Sequence, residues 1–322
     1  FENYMLDSSL NLFFTLVGAS TIAFLGTVVI FHDRKSLTNV IFFTHTIVIT
    51  LWSIANYFSL TIFDERALFW IRAVIFLAVP HVFIFFLFVQ NFPSPKLSIR
   101  KTLLALSLVV MVLMMAIAGS NWGFKSLDIN KDKIIPIPGN LMPVFGVVLV
   151  VISLITIWYI MRKYLYSSGL LKRQWLTIGL GLFIAYTLLV FFVFVRVVVH
   201  GDTRFVLYSP LFILPIFIGT AYAILKHHLF NVKVIATETL TFALLVASLV
   251  QFFFAQTTTT RIISLLTTII LFYFGVLLIK SVLKEVEQRE ELQKLSEQLK
   301  KANTELESLS RFKSQMLALS AH

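Results

Sequence analysis

Nine long apolar runs are the strongest constraint on how this chain of 322 residues can fold. Their approximate ranges are 10–31, 38–63, 67–91, 102–119, 141–161, 174–199, 206–225, 239–255 and 262–280. A helix needs about 20 apolar residues to cross a hydrocarbon core about 30 Å thick. The sequence therefore predicts an all-α, polytopic membrane bundle of about nine spans. The run 239–255 is the shortest, and it could instead form a tight helical hairpin with 262–280.

The composition agrees with a membrane protein. The chain is 58% hydrophobic and 13% charged, whereas a soluble domain is about a quarter charged. It contains no cysteine, which excludes disulfides and cysteine-ligated metal sites. The net charge of +11 is typical of cytoplasmic loops in a membrane protein and does not by itself indicate nucleic-acid binding. Because the first residue is Phe1, we expect the chain to be part of a longer protein.

Charge in the short loops predicts the orientation. Basic residues cluster in the loops on one side, here called the basic side: Arg34, Lys35, Lys96, Arg100, Lys101, Arg162, Lys163, Lys172, Arg173, Lys226 and Lys233. The opposite side has Arg66, Arg204 and Arg261 in short loops, and a longer loop, 120–140, of mixed charge. The basic side should be cytoplasmic. The N-terminus then lies outside the cell and the C-terminus lies in the cytoplasm. The protein crosses the cytoplasmic membrane, so the lipid bilayer is one of its partners.

The last 42 residues, 281–322, have a different character. From 281 to 309 the chain is rich in Glu, Lys, Gln and Ser. Apolar residues step by three and four through Leu292, Leu295, Leu299, Ala302, Leu306 and Leu309. That spacing is the seam of a left-handed coiled coil, so we expect two copies of the chain to pair as a homodimer. Two steps of three follow each other at Leu306–Leu309–Phe312, which overwinds a coiled coil locally.

The end of the chain resembles a known signalling helix. The segment RFKSQMLALSAH (311–322) resembles the start of the dimerisation and phosphoacceptor helix of sensor histidine kinases. His322 falls at the position of the phosphoacceptor. Met316 stands where that family prefers Phe, and Ala321 where it prefers Ser. The family motif continues past this histidine, where the chain ends.

The membrane part resembles the N-terminal seven-transmembrane region of some histidine kinases. Three segments carry the resemblance: LFVQNFPSP (87–95), LKRQWLTIGLG (171–181) and AYAILKHHLFNVKVI (221–235). With the terminal helix, the resemblance covers about residues 1–235 and 285–322. It implies four parts: a sensor region at 1–235, two further membrane helices at 236–280, a coiled-coil signalling helix at 281–310, and the start of the phosphoacceptor helix at 311–322.

The resemblance also implies a function. The chain would be the sensory and signal-transmission part of a two-component sensor histidine kinase, in which an extracellular or intramembrane stimulus controls autophosphorylation of His322. No Gly-rich phosphate loop or Walker motif occurs in the sequence. We therefore expect ATP and Mg²⁺ to bind a catalytic domain beyond residue 322, with no cofactor on this chain. A response regulator would then receive the phosphoryl group.

Polar residues inside the spans are candidates for a stimulus site. Arg72 and Arg196 lie about a turn inside the outer ends of their spans, and Trp52 and Asn56 share a helical face in the outer half of the second. Two arginines would suit an anionic or amphipathic ligand, either a small molecule or a membrane component. Alternatively, both arginines extend to the outer headgroups and Trp52 simply packs.

The histidines inside the spans do not form a recognisable metal-binding pattern in the sequence. His45 and His81 lie on different predicted helices, and the spacing of the sequence shows no converging set of metal ligands. We expect them to be core histidines with satisfied hydrogen bonds, and we predict no metal site. His227 and His228 belong to the basic border of the seventh span.

A strip of small residues in the sixth run offers a place for close helix packing. The strip consists of Gly179, Gly181 and Ala185. Another helix can approach the backbone closely here.

Two other functions remain open from the sequence. The first is a transporter or channel with a cytoplasmic coiled coil, although no Asp or Glu lies well inside a span and no internal repeat is evident. The second is the same sensor joined to another output, such as a cyclase. The residues that follow His322 would distinguish these functions.

Overall fold

The structure is a computed structural model that describes residues 2–130, 133–196, 199, 204–225, 232–255 and 257–320. Long apolar sequences give long helices because a bilayer leaves the backbone no other hydrogen-bond partner. The helices are α1 (Glu2–His32), α2 (Leu37–Thr61), α3 (Ala67–Asn91), α4 (Lys101–Ala118), α5 (Met142–Tyr166), α6 (Gly169–Leu188), α7 (Ser209–Leu225), α8 (Val232–Phe254) and α9 (Thr258–Ser320). Helix α6 continues as a π-helical turn, Leu189–Val195, and a 3₁₀ turn, Arg204–Tyr208, precedes α7.

Eight of the described helices are long and apolar enough to cross a membrane. The remaining helix, α8, has a shorter apolar stretch, Thr237–Phe252. The prediction of an all-α polytopic bundle is therefore confirmed. The predicted number of about nine spans depends on whether α8 crosses, and it stays a prediction.

The loop between α4 and α5 forms a β-hairpin that we did not predict. Strand β1 (Phe124–Asn130) pairs antiparallel with β2 (Lys133–Pro138), and Asp128 lies opposite Ile135. The alternation of polar and apolar residues in Ser-Leu-Asp-Ile at 126–129 is the available sequence signal. It is too short to identify a strand by itself.

The main core lies where α1, α2, α3, α6 and α7 meet. Its largest fully buried side chains are aromatic, among them Trp175, Phe42, Phe88 and Phe217. A second, smaller cluster joins α3 to α4 and α5 around Val79, Phe83 and Met114. Helix α8 packs against α1, with the rings of Phe24 and Phe242 stacked 5.0 Å apart.

Helices α6 and α7 pack closely through glycine. A Cβ added at Gly181 would collide with the carbonyl oxygen of Pro215. A Cβ added at Gly219 would lie 2.8 Å from the carbonyl oxygen of Thr177. Both obstacles are backbone atoms, which cannot rotate away. Of the predicted strip of small residues, Gly181 therefore packs on α7, whereas Gly179 faces Ile160 of α5.

We expect Gly181→Ala to destabilise the bundle. The new methyl group forces α6 and α7 apart, and such overpacking costs about 1–3 kcal/mol. Gly146→Ala is the matched control, because no atom lies within 4 Å of the position a Cβ would take there. It should leave stability unchanged or raise it by up to about 1 kcal/mol through helix propensity. Thermal unfolding of the purified protein in detergent measures both, and equal melting temperatures for the two variants would contradict the close approach.

Candidate functional site

Polar and aromatic side chains from four helices meet at the basic side of the bundle. We call this group the basic-side junction, and it consists of Thr38, Asn91, Phe92, Ser94, Lys163, Gln174 and Trp175. Its members come from the start of α2, the end of α3 and the loop that follows it, the end of α5 and the start of α6. The junction therefore couples the ends of helices that are distant in sequence.

Lys163 closes the end of α3. Its Nζ donates to the carbonyl oxygens of Val89 at 2.6 Å, Gln90 at 3.2 Å and Phe92 at 3.1 Å. The last carbonyls of a helix have no partner within the helix, and they lie at the negative end of its dipole. The half-buried ammonium of α5 therefore satisfies α3 both by hydrogen bonding and by charge.

Asn91 organises the loop that follows α3. Its Nδ2 donates to the Ser94 carbonyl at 2.9 Å, and its Oδ1 accepts from the backbone N–H of Ser98 at 2.9 Å. The hydroxyl of Thr38, at the start of α2, donates to the same Ser94 carbonyl at 2.6 Å. The loop is thus ordered by Asn91 and held against α2 by the Thr38 hydroxyl, through partly buried hydrogen bonds.

Trp175 and Gln174 bring α6 and α7 into the junction. The ring of Trp175 is 1% exposed, packs edge-to-face on Phe92 at 5.2 Å, and lies 4.8 Å from the Lys163 ammonium. The buried Nε2 of Gln174 donates to the carbonyl oxygen of Ala223, near the end of α7, at 2.7 Å. The described parts of all three segments named in the sequence analysis therefore contribute to one region. Lys163 belongs to none of them, and its position in the last turn of an apolar run was its only signal.

Comparison with known families decides the identity of the membrane part. The sequence model of a family described as the N-terminal 7TM region of histidine kinase matches residues 14–233, more than half of the chain. The chain belongs to this family. No curated protein and no solved structure matched. The match confirms the predicted histidine-kinase family.

Membership in the 7TM histidine-kinase family places the chain in a membrane context and implies a response regulator as partner. Together with the eight apolar helices, it makes this a multi-pass membrane protein. The segments 87–95 and 171–181 lie inside the matched range, and 221–235 extends two residues beyond it. The basic-side junction is therefore built largely from the family region.

Asn56 and Arg196, two of the four predicted stimulus-site residues, meet at the 3₁₀ turn before α7. The Nδ2 of buried Asn56 donates to the Val206 carbonyl at 2.9 Å. The Arg196 guanidinium lies 5.1 Å from the centroid of the Phe205 ring. The hydroxyl of Thr15 donates to the Leu207 carbonyl at 3.1 Å, so α1 also contacts this turn.

The other two predicted residues lie elsewhere. Arg72 binds the loop before the hairpin and the start of β1, because its guanidinium donates to the Phe124 carbonyl at 2.6 Å and to Asn121 Oδ1 at 2.5 Å. Trp52 is half-buried and packs against the main core. Whether these side chains bind a ligand stays a prediction.

Three predicted histidine positions lie outside the described residues: His227, His228 and the phosphoacceptor candidate His322. His45 and His81 are described, and they contact each other directly at 2.7 Å. No group of three or more His, Cys, Asp or Glu side chains that could hold a metal occurs among the residues the structure describes.

We expect Lys163→Met to loosen the end of α3. Methionine keeps the apolar stem but leaves three carbonyls without their donor, which costs about 1–3 kcal/mol. Hydrogen–deuterium exchange should become faster in the peptide that covers 86–92, and the melting temperature should fall. Arg162→Met is the control, because Arg162 is exposed and lies over the Trp158 ring at 5.3 Å. It should cost less than about 1 kcal/mol. Unchanged exchange in Lys163→Met would contradict the capping role.

Proposed function

We propose that this chain is the sensory and signal-transmission part of a two-component sensor histidine kinase. An extracellular or intramembrane stimulus alters the packing of the membrane helices and thereby controls autophosphorylation of His322. The family match over 14–233 carries this proposal. The parts expected from the sequence, 1–235, 236–280, 281–310 and 311–322, then serve as sensor, connecting spans, signalling helix and phosphoacceptor helix.

Helix α9 supports the transmission role. One helix of 63 residues, Thr258–Ser320, contains both a membrane span, Thr258–Val282, and the predicted seam. The seam leucines are between 54% and 73% exposed: Leu292, Leu295, Leu299, Leu306 and Leu309. Apolar side chains at heptad spacing are buried when two such helices pair. We propose that the pairing helix is α9 of a second copy of the chain, which carries the same seam.

Contacts within the bundle offer a route from the sensor to α9. Helix α8 packs on α1 and hydrogen-bonds to α9, where the hydroxyls of Ser248 and Thr268 are 2.6 Å apart. The Nε of Arg261 donates to the Ala255 carbonyl at 3.0 Å, next to the start of α9. A shift of α1 would therefore reach α9 through α8. Because helix α9 contains no proline, which would kink it, rotation or sliding of its span would pass to the seam.

The proposed autophosphorylation of His322 depends on the nucleophilic nitrogen of its imidazole ring. A neutral histidine has one ring nitrogen with a free lone pair, which can attack the γ-phosphorus of ATP. The new nitrogen–phosphorus bond forms as the bond to the β-phosphate oxygen breaks, and ADP leaves. ATP and Mg²⁺ would be bound by a catalytic domain outside this chain. The phosphoryl group would then pass to an aspartate of the response regulator.

Labelling the full-length protein with γ-³²P-ATP tests the output. We expect an acid-labile, base-stable label that His322→Gln abolishes, because glutamine has no nucleophilic nitrogen. His32→Gln, at the end of α1, should keep the label. A label that persists in His322→Gln would overturn the assignment, and a full-length protein without any label would overturn the kinase function.

The proposed stimulus site consists of Trp52, Asn56, Arg72 and Arg196. The 3₁₀ turn joins Asn56 and Arg196, and an anionic or amphipathic ligand could displace the Arg196 guanidinium from the Phe205 ring. Arg72 would bind a negative group between α3 and the hairpin.

Arginine variants test this site. Arg72→Ala and Arg196→Ala should each reduce the response of kinase output to the stimulus. Arg66→Ala is the control, because this exposed arginine lies on the same side and pairs with Asp64. A wild-type response in both Arg72→Ala and Arg196→Ala would end the proposal.

A further inference from the structure

Two histidine side chains meet inside the bundle. His45 Nε2, on α2, lies 2.7 Å from His81 Nδ1, on α3. The ring planes are inclined by 19° and the centroids are 4.8 Å apart, so the rings lie nearly edge to edge in a common plane. A lone pair of imidazole lies in the plane of its ring, and this arrangement therefore suits a direct N–H···N hydrogen bond. His45 is only 2% exposed.

The pair lies more than two helical turns from the basic-side ends of its helices, with His45 buried and His81 half-buried. Counting helical rise from the basic-side ends, Leu37 of α2 and Asn91 of α3, places His45 about 12 Å and His81 about 15 Å along the helix axes from those ends. Aromatic rings surround His45: the centroid of Phe217, on α7, is 4.8 Å from its ring, and that of Phe85, on α3, is 5.6 Å away. Aromatic faces attract a cation, and the interaction strengthens when water is excluded.

No carboxylate faces the pair from the helices packed around it. The segments 12–32, 37–61, 67–91, 101–118, 142–166 and 209–225 contain no Asp or Glu. Arg72 is bound to the Phe124 carbonyl and Lys163 to the carbonyls at the end of α3. The other titratable side chains in these segments are His32, Tyr57, Lys101, Tyr159, Arg162, Tyr164, Tyr166 and Tyr222. A positive charge on the pair would therefore be stabilised by the second imidazole and the two phenyl rings.

We propose that the His45–His81 pair is a proton-binding site that accepts one proton and excludes a second. In the neutral pair, one ring donates its N–H to the other, and one outer nitrogen keeps its lone pair. An added proton binds that outer nitrogen, and the bond between the rings remains and becomes charge-assisted, which shortens and strengthens it. A further proton would place N–H groups on both facing nitrogens. The hydrogen bond would then be lost and two cations would face each other.

Protonation of the pair acts on the contact between α2 and α3. Pro80 directly precedes His81 and has no N–H to donate to the carbonyl of Phe76. Helix α3 is therefore locally able to bend beside the pair. Acidification strengthens the bond between the rings and draws α2 and α3 together next to Phe217 of α7. The consequence for kinase output rests on the proposed function.

Nuclear magnetic resonance tests proton binding without any kinase readout. The full chain, labelled with ¹⁵N-histidine in lipid nanodiscs, is titrated from about pH 8 to about pH 5, the range in which imidazole ordinarily titrates. We expect a nitrogen–nitrogen coupling across the shared hydrogen bond, and uptake of one proton by the two rings together. Absence of the coupling, independent titration of the two rings, or two neutral rings throughout would each overturn the proposal.

Two substitutions preserve the shape of the contact while they remove the shared proton. His45→Gln replaces Nε2 with a side-chain amide, and His81→Asn replaces Nδ1, so each can still hydrogen-bond to the remaining ring. The coupling should disappear in both variants. His32→Gln, outside the pair, should retain it. A coupling that survives in His81→Asn would show that it arises elsewhere and would overturn the assignment.

Phosphorylation of the full-length protein then tests the regulatory consequence. We expect the pH dependence of wild-type output over the same range to be lost in His45→Gln and His81→Asn and kept in His32→Gln. Wild-type pH dependence in both pair variants would overturn the regulatory role. If no variant is labelled at any pH, the kinase function fails, and the coupling experiment still decides whether the pair binds a proton.

Discussion

A hydrocarbon environment offers no hydrogen-bond partner. Wherever a helix ends or breaks within it, the unpaired backbone N–H and C=O groups must hydrogen-bond to another part of the protein. The structure meets this requirement with side chains from neighbouring helices. Lys163 of α5 donates to three carbonyls at the end of α3. Asn56 of α2 and Thr15 of α1 donate to two carbonyls of the 3₁₀ turn before α7. These bonds tie together helices that the hydrophobic effect alone would leave free to slide in lipid.

The same hydrogen bonds fasten the helices to one another at both ends of the bundle. The 3₁₀ turn joins α1, α2 and α7 on the side opposite the basic loops, and the basic-side junction joins α2, α3, α5, α6 and α7 at the other end. Gly181 and Gly219 let α6 and α7 approach to backbone contact between these two regions. The two regions are therefore joined by tightly packed helices, along which the proposed signal would pass. The proposed proton site lies on that path, between α2 and α3.

The sequence predicted the helices because hydrophobicity and length report directly on a bilayer span. It also predicted the strip at Gly181, since small residues at helical spacing mark a close approach, but not that α7 packs there. The meeting of His45 with His81 was missed, because a helical period identifies a face of one helix and not the helix it faces. Lys163 was read as a basic loop residue, because the capping of α3 by α5 depends on a contact across 70 or more positions. The hairpin between α4 and α5 had too few alternating residues to be recognised.

Pairing of α9 between two copies is tested most directly by disulfide scanning. The chain has no cysteine, so single cysteines can be introduced one at a time from 292 to 309 in the full-length protein and oxidised in native membranes. Coiled-coil pairing predicts strong cross-linking at Leu292, Leu295, Leu299 and Leu306 and weak cross-linking at the outward-facing positions Glu297, Lys300 and Thr304. A uniform yield along the helix, or no cross-linked dimer at any position, would contradict a signalling helix that works by pairing with its copy.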